Sequence, residues 1–168
     1  MQLQNNNKLF LISDTHFYHT NIIKYCSRPF ADANEMNERL IDNWNSVVDK
    51  NDTVLHLGDV TAGVGNLKNK KSVEIMERLN GNKIFLRGNH DNSIVSLNML
   101  DSLTFEWKGI KIYCSHIPDP KFQKFGTFHL HGHIHNNTID VKNTFNCSVE
   151  NINYTPIRLS EVIEKYAN

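Results

Sequence analysis

Four of the nine histidines stand at alternate positions of one stretch, Phe128-His129-Leu130-His131-Gly132-His133-Ile134-His135. Imidazole is the commonest metal ligand among side chains. Alternate side chains of an extended backbone share a face. The spacing therefore predicts a strand with four imidazoles on one side and Leu130 and Ile134 turned to a core. Gly132 would let a ligand or another chain approach the backbone closely. A strand with one solvated, histidine-rich face fits the same pattern, so the stretch alone does not decide for metal.

Other polar clusters carry compatible chemistry. They are Asp14 with His16, Gly58-Asp59, Asn89-His90-Asp91 and His116. Together with His133 and His135 they offer carboxylate, amide oxygen and imidazole, and no thiolate. That donor set suits Mn, Fe, Co or Zn rather than a cysteine-bound structural zinc. Asp14 and His16, like His133 and His135, are two positions apart, so in an extended backbone each pair can face one ion.

The elements that would position these groups follow from hydrophobic patterning. The run 8–13 (KLFLIS) reads as a buried strand ending at Asp14. A helical turn near Ile22–Tyr25 is stopped by Arg28-Pro29. Residues 34–48 read as an amphipathic helix with Met36, Leu40, Trp44 and Val47 on one face. A second strand, Thr53–Leu57, closes with Gly58-Asp59. A second helix, Ser72–Leu79, ends at Gly81-Asn82. A third strand, Lys83–Leu86, precedes Arg87-Gly88-Asn89. Strand and helix thus alternate, with polar residues just past each strand, as in parallel α/β sheets whose ligands sit at the carboxyl ends of the strands. Leu103–Trp107 and Ile110–Cys114 read as a β-hairpin. After a loop through Pro120 comes the histidine strand. Phe145–Val149 and Pro156–Leu159 are further strands, and Ser160 is the expected N-cap of a closing helix through Tyr166.

The ordered set D-x-H (Asp14, His16), G-D (Gly58, Asp59), G-N-H-D (Gly88 to Asp91), a strand-end histidine (His116) and G-H-x-H (Gly132, His133, His135) resembles the calcineurin-like metallophosphoesterase family. The likeness is to its compact prokaryotic and phage members and spans residues 9 to 150. The stretch from His19 through Arg28 to Phe30 is similar to a subgroup signature. The resemblance implies an α/β fold, a two-layer mixed β-sandwich flanked by helices, as one domain over 1–168. It implies two divalent cations, with Mn first and Fe, Zn, Ni, Co or Mg as alternatives. Asp14, His16 and His135 would hold one, Asn89, His116 and His133 the other, and Asp59 would bridge. His90 would be the general acid, with Asp91 orienting or charging it.

The physics of that arrangement is coherent. A carboxylate can bridge because it has two oxygens. Two divalent ions outweigh Asp14 and Asp59 by two positive charges, enough for a hydroxide and a phosphate ester. Such ions lie roughly 3.5–4 Å apart and bring the pKa of a water to about 7. A general acid is worth on the order of 10²–10⁴-fold. The implied activity is hydrolysis of a phosphodiester in a nucleotide-like or other small substrate. Alternatives are a phosphomonoesterase or protein phosphatase, a nuclease, or a metal-binding scaffold without chemistry.

Several residues stand beside these motifs. His19 and Arg28 are candidates for phosphate contact, and Arg87 for substrate or for an ion pair. His56 reads as a core histidine near Gly58, and His129 and His131 as lying behind the ligands. The Lys68-Asn69-Lys70-Lys71 run reads as a solvated helix start, and Trp44 and Trp107 as core. Val60-Thr61 after Gly58-Asp59, and Ile117-Pro118 after His116, depart from the family pattern.

The totals bound the rest. The 168 residues suffice for one sizeable core, and the 39% apolar and 21% charged fractions are ordinary. Zero formal net charge argues against a general affinity for nucleic acid or anionic membranes, although a local nucleic-acid site remains compatible. Cys26, Cys114 and Cys147 lack metal or disulfide spacing and read as reduced thiols of a cytoplasmic protein. Neither a signal segment nor an apolar run long enough to span a bilayer is found. The expected state is monomer or homodimer.

Overall fold

A computed structural model describes residues 8–62, 65–119, 121, 127–139 and 141–167. The expectation about a signal segment falls on residues 1–7, which, like Pro120 in the loop, lie outside them. Two sheets flanked by helices form the fold. The first sheet has strands β1 (Leu9–Ile12), β2 (Thr53–His56), β3 (Asn82–Leu86), β4 (Met99–Leu100) and β9 (Ile157–Arg158), in the order β4-β3-β2-β1-β9. Its first four strands are parallel, and β9 runs antiparallel to β1. The second sheet has the order β5-β6-β7-β8, with β5 (Ser102–Trp107), β6 (Ile110–Ser115), β7 (Phe128–His131) and β8 (Thr144–Asn146). The β5–β6 hairpin turns at Lys108 (φ 50°) and Gly109 (φ 81°), two left-handed residues that match the twist of the paired strands.

Apolar alternation and burial agree. Phe10, Leu11, Ile12, Leu55, Ile112, Phe128 and Leu130 all lie in one core cluster. Helix α1 (Thr20–Tyr25) is short. Helix α2 (Ala33–Val47) starts at Asp32, whose carboxylate accepts the N–H groups of Asn34 and Glu35, and buries Met36, Leu40, Ile41 and Trp44. Trp44 is in the core as expected, its indole N–H donating to the Asn80 carbonyl.

Several boundaries differ from the sequence reading. Helix α3 (Gly65–Arg78) begins before Ser72. Its inner face carries polar groups, which hid the apolar period: Ser72 meets Thr61 (2.5 Å), and Lys68 is buried with its ammonium donating to the His90 carbonyl. Lys68 is therefore no solvated helix start. The histidine strand stops at His131. Strand β8 stops at Asn146 and is followed by a 3-10 turn, Val149–Ile152. Helix α4 (Leu159–Tyr166) begins after an extended Arg158, with no side-chain cap from Ser160. The three cysteines are buried and unbridged.

Candidate metal centre

Loops past the parallel strands continue to pair and so converge on one end of the sheets. Asp14 N–H donates to Gly58 O (2.9 Å), His16 N–H to Asp59 O (3.0 Å) and Gly132 N–H to His116 O (2.9 Å). The two sheets are stitched at the same end. Ser13 N–H donates to Cys147 O, and the Asp14 carboxylate accepts His133 N–H (3.0 Å) and the Ser148 hydroxyl (2.9 Å) through Oδ2. Gly132 is required there, because a Cβ would run into Ser13 and the Asp14 carboxylate.

The extended-backbone argument for paired ligands does not hold. Asp14, His16, Asp59, His133 and His135 all have positive φ, between 49° and 72°. Each costs on the order of 1–3 kcal/mol for a side-chain-bearing residue and persists because its surroundings over-determine it. The chain curls at these positions, and curling aims the alternate side chains at a common point. His129 and His131, on β7 proper, stay buried behind it.

The resulting geometry fits cations. Two ligand atoms each about 2.1 Å from one ion can stand no more than about 4.2 Å apart. Asp14 Oδ1 lies 4.0 Å from His16 Nε2 and 3.9 Å from His135 Nε2. Asp59 Oδ2 lies 3.5 Å from His16 Nε2 and 3.3 Å from His116 Nε2. Asn89 Oδ1 lies 3.0 Å from His116 Nε2 and 2.9 Å from His133 Nδ1. Asp14 Oδ1 and His16 Nε2 are buried and have no hydrogen-bond partner among the described residues. Orphaned acceptors inside a protein are costly, and a cation would satisfy both. Asp59 uses one oxygen only: Oδ1 accepts the His90 N–H (2.9 Å), leaving Oδ2 to face both histidines. Gly88 allows this packing, since a Cβ there would strike Asp59.

The charges agree with the geometry. Burial depresses the His16 imidazole well below its ordinary range. Burial would raise the Asp59 carboxyl, but the His116 hydrogen bond and the charges of His116 and His16 outweigh it and hold it below the usual carboxylate range. Burial would lower His116 and His135. The Asp59 hydrogen bond and Asp14 raise His116 instead, and the Glu150 hydrogen bond and Asp14 raise His135.

The remaining expected residues fall in distinct places. His90 is exposed, its ring edge-on to His16 at 5.4 Å, and its backbone is clamped by Asp59 and Lys68. Asp91 turns away from His90's ring. Its carboxylate accepts the N–H groups of Asp59 (2.6 Å), Val60 (3.1 Å) and Gly88 (2.9 Å), locking two loops together. His19 is half-buried, with ring centroids 5.3 Å from His16 and 6.4 Å from both His90 and Tyr25. Arg87 pairs with the exposed Asp101 (3.4 Å). Arg28 corrects the expectation of a phosphate clamp. Its guanidinium is buried and taken up by Glu150 Oε1, Asp14 O and Thr15 O. Glu150, which also accepts from His135 Nδ1 (3.2 Å), was missed. No motif surrounds it, and only its partner Arg28 lay in a recognisable stretch.

His56 is neutral by hydrogen-bond bookkeeping, and His129 carries a proton on Nε2. Thr15 donates its hydroxyl proton to Val60 O, so it accepts from His56 Nε2 (2.9 Å), while His56 Nδ1 accepts the Gly58 N–H. Ser115 donates to Ile117 O and so accepts from His129 Nε2. Burial depresses His56 to about 3 and His129 to about 4 from 6.5. The unfolded chain then binds these protons first. Their stability contribution is complete above about pH 6.5 and is lost as pH falls towards 4, by about 1.4 kcal/mol per unit for each group. His116 and His135, shifted upward, offset part of this. Urea midpoints of the metal-free protein should fall between pH 7.5 and 5. A midpoint that held or rose would contradict two neutral buried imidazoles.

The sequence profile of the calcineurin-like phosphoesterases matches residues 8–163, and the chain belongs to that family. An uncharacterized protein of Methanocaldococcus jannaschii is 42% identical over 165 residues, covering 94% of this chain and 90% of that one. The crystal structure of a protein of unknown function from Aquifex aeolicus superposes with TM-score 0.75 at 29% identity, over 95% of this chain and 100% of that one. An archaeal phosphodiesterase aligns over 84% of this chain and 82% of its own with TM-score 0.47 at 21% identity, a likeness that speaks to neither substrate nor activity. The family is one of metal-dependent hydrolases of phosphate esters, and Asp14, His16, Asp59 and His116 are candidate metal-binding residues here. Among the described residues no helix is long and apolar enough to cross a membrane.

Proposed function

We propose that the chain is a phosphodiesterase with two divalent cations, Mn first among the candidates, acting on a nucleotide-like or other small diester. One observation carries the reading: Asp59 Oδ2 faces two ligand sets at once, one of which contains the orphaned Asp14 Oδ1 and His16 Nε2. Asp14, His16 and His135 would hold one cation, and Asn89, His116 and His133 the other. Cations there would acidify a water and offset the negative charge that develops at phosphorus.

The chain's own groups supply the rest. His90, beside His16 with an exposed ring, would hand its proton to the departing oxygen. Asp91 would set the loop that carries His90 rather than charge the ring. A cleft of about 400 Å³ lies against Asn89 and His116 and is walled by Arg87, Tyr113, Ile117 and Pro118. It can take the second substituent that a diester has and a monoester lacks. Ile117, one of the departures from the family pattern, is 53% exposed on this wall.

The test is a set of initial rates on aryl monoesters and diesters with Mn, Ni, Zn or Mg. Diesters should be preferred, and a clear monoester preference would overturn the reading. Within the same set, His90→Ala should cost on the order of 10²–10⁴ in kcat with an alkoxide leaving group, which needs the proton. It should cost far less with p-nitrophenolate, which leaves without one. Equal losses on both substrates would remove His90 from the role of acid.

A further inference from the structure

We propose that Arg28 and Glu150 form a buried charged pair that sets the ring of His135, and that this pair makes the Asp14/His16/His135 position the stronger of the two metal positions. The inference rests on the two-cation reading above.

Arg28 and Glu150 are 122 positions apart in the chain, and their side chains are 0% and 5% exposed. Arg28 donates to Glu150 Oε1 from Nε (2.9 Å) and Nη2 (2.7 Å). The same guanidinium donates to Asp14 O (2.7 Å) and Thr15 O (3.0 Å). It therefore grips the backbone between two members of one ligand set. Through Glu150 it reaches the third. Glu150 Oε1 stands 3.2 Å from His135 Nδ1. A carboxylate can only accept, so Nδ1 carries the proton and the Nε2 lone pair is left facing Asp14 Oδ1. Carboxylates behind a ligating histidine fix its tautomer and orientation and raise its basicity. Burial would raise the Glu150 carboxyl, but the His135 hydrogen bond and the compensating charge of Arg28 outweigh it and hold it below the usual carboxylate range.

The other set leans on a neutral partner. His116 Nδ1 donates to the neutral carbonyl of Leu57 (2.8 Å). In that set Asn89 is exposed, His133 half-buried and His116 buried, whereas in the first set Asp14 and His16 are almost fully buried and His135 is half-buried. A rigid, buried, charge-backed set should bind first and hold longer.

A purely structural strut would tie the same segments without acting on His135, so the readouts must see the ring and the metal. The first needs no variant. Ring-nitrogen NMR of the metal-free protein at pH 9 should find His135 protonated on Nδ1. A ring protonated on Nε2 would overturn the proposal. The second is Mn titration followed by calorimetry and by spin resonance of free Mn. The wild-type protein should bind in two phases. Glu150→Gln should weaken the tighter phase 10–100-fold and leave the weaker one, with Glu150→Asp intermediate. An unchanged tighter phase, or a loss confined to the weaker one, would overturn it. If the wild-type protein binds one equivalent only, the claim of unequal positions falls with the two-cation reading. The ring spectrum still decides whether Glu150 sets His135.

Discussion

Asp59→Asn is expected to lower kcat/KM for an activated aryl diester by a factor on the order of 10³ or more, with metal content falling in parallel. Removing one preorganised electrostatic stabiliser typically costs about 10²–10³. Asp59 is worse placed to lose, because its single free oxygen faces both His16 and His116. The asparagine isolates this effect. Its amide oxygen can still accept the His90 N–H that Asp59 Oδ1 accepts now, so the loop carrying Asn89 and His90 should stay in place. Its amide nitrogen would point donors where a cation needs an acceptor. Activity and metal analysis on the same preparation check this. Undiminished turnover by metal-loaded Asp59→Asn protein would refute the role of Asp59 as common ligand.

Arg28→Met is expected to destabilise the metal-free protein by about 3–5 kcal/mol, the usual cost of leaving one member of a buried ion pair alone. Glu150 would stay buried without its counter-ion, and the Asp14 and Thr15 carbonyls would lose their donors. Methionine keeps the length and packing of the stem, so the loss reports charge and hydrogen bonds rather than a cavity. At this chain length the melting temperature should drop by about 2–4 °C per kcal/mol. Arg28→Met combined with Glu150→Leu should recover part of the loss, because the pair interacts directly. A single variant within 1 kcal/mol of wild type in urea would show that the pair carries little stability.

Much of this molecule is legible in its residues. The alternation of KLFLIS, Thr53–Leu57 and Lys83–Leu86 with helices specifies the parallel half of the first sheet, and Lys108-Gly109 specifies the hairpin. Periodicity reports which face is buried, and that is a local property of the chain. Donor chemistry is local too: carboxylate, amide and imidazole without thiolate already point to a hard or borderline cation. Where inner faces carry polar groups, the signal fades. Helix α3 buries Lys68 and Ser72, so its first two turns look solvated in sequence.

Tertiary structure alone decided how the donors meet. Alternate spacing in Asp14/His16 and His133/His135 suggested extended backbone, yet these residues are left-handed, a conformation no local pattern at these residues would choose and that neighbouring loops must impose. Which Asp59 oxygen faces the two histidines depends on the His90 N–H, 31 positions away. Arg28 reads in sequence as a candidate for phosphate contact, because its partner Glu150 arrives from 122 positions away in the chain. Residue types and their periodicity determined the class of chemistry and the order of the elements. Pairings across long sequence separations determined the ligand geometry, because only the folded core brings those groups within reach of one another.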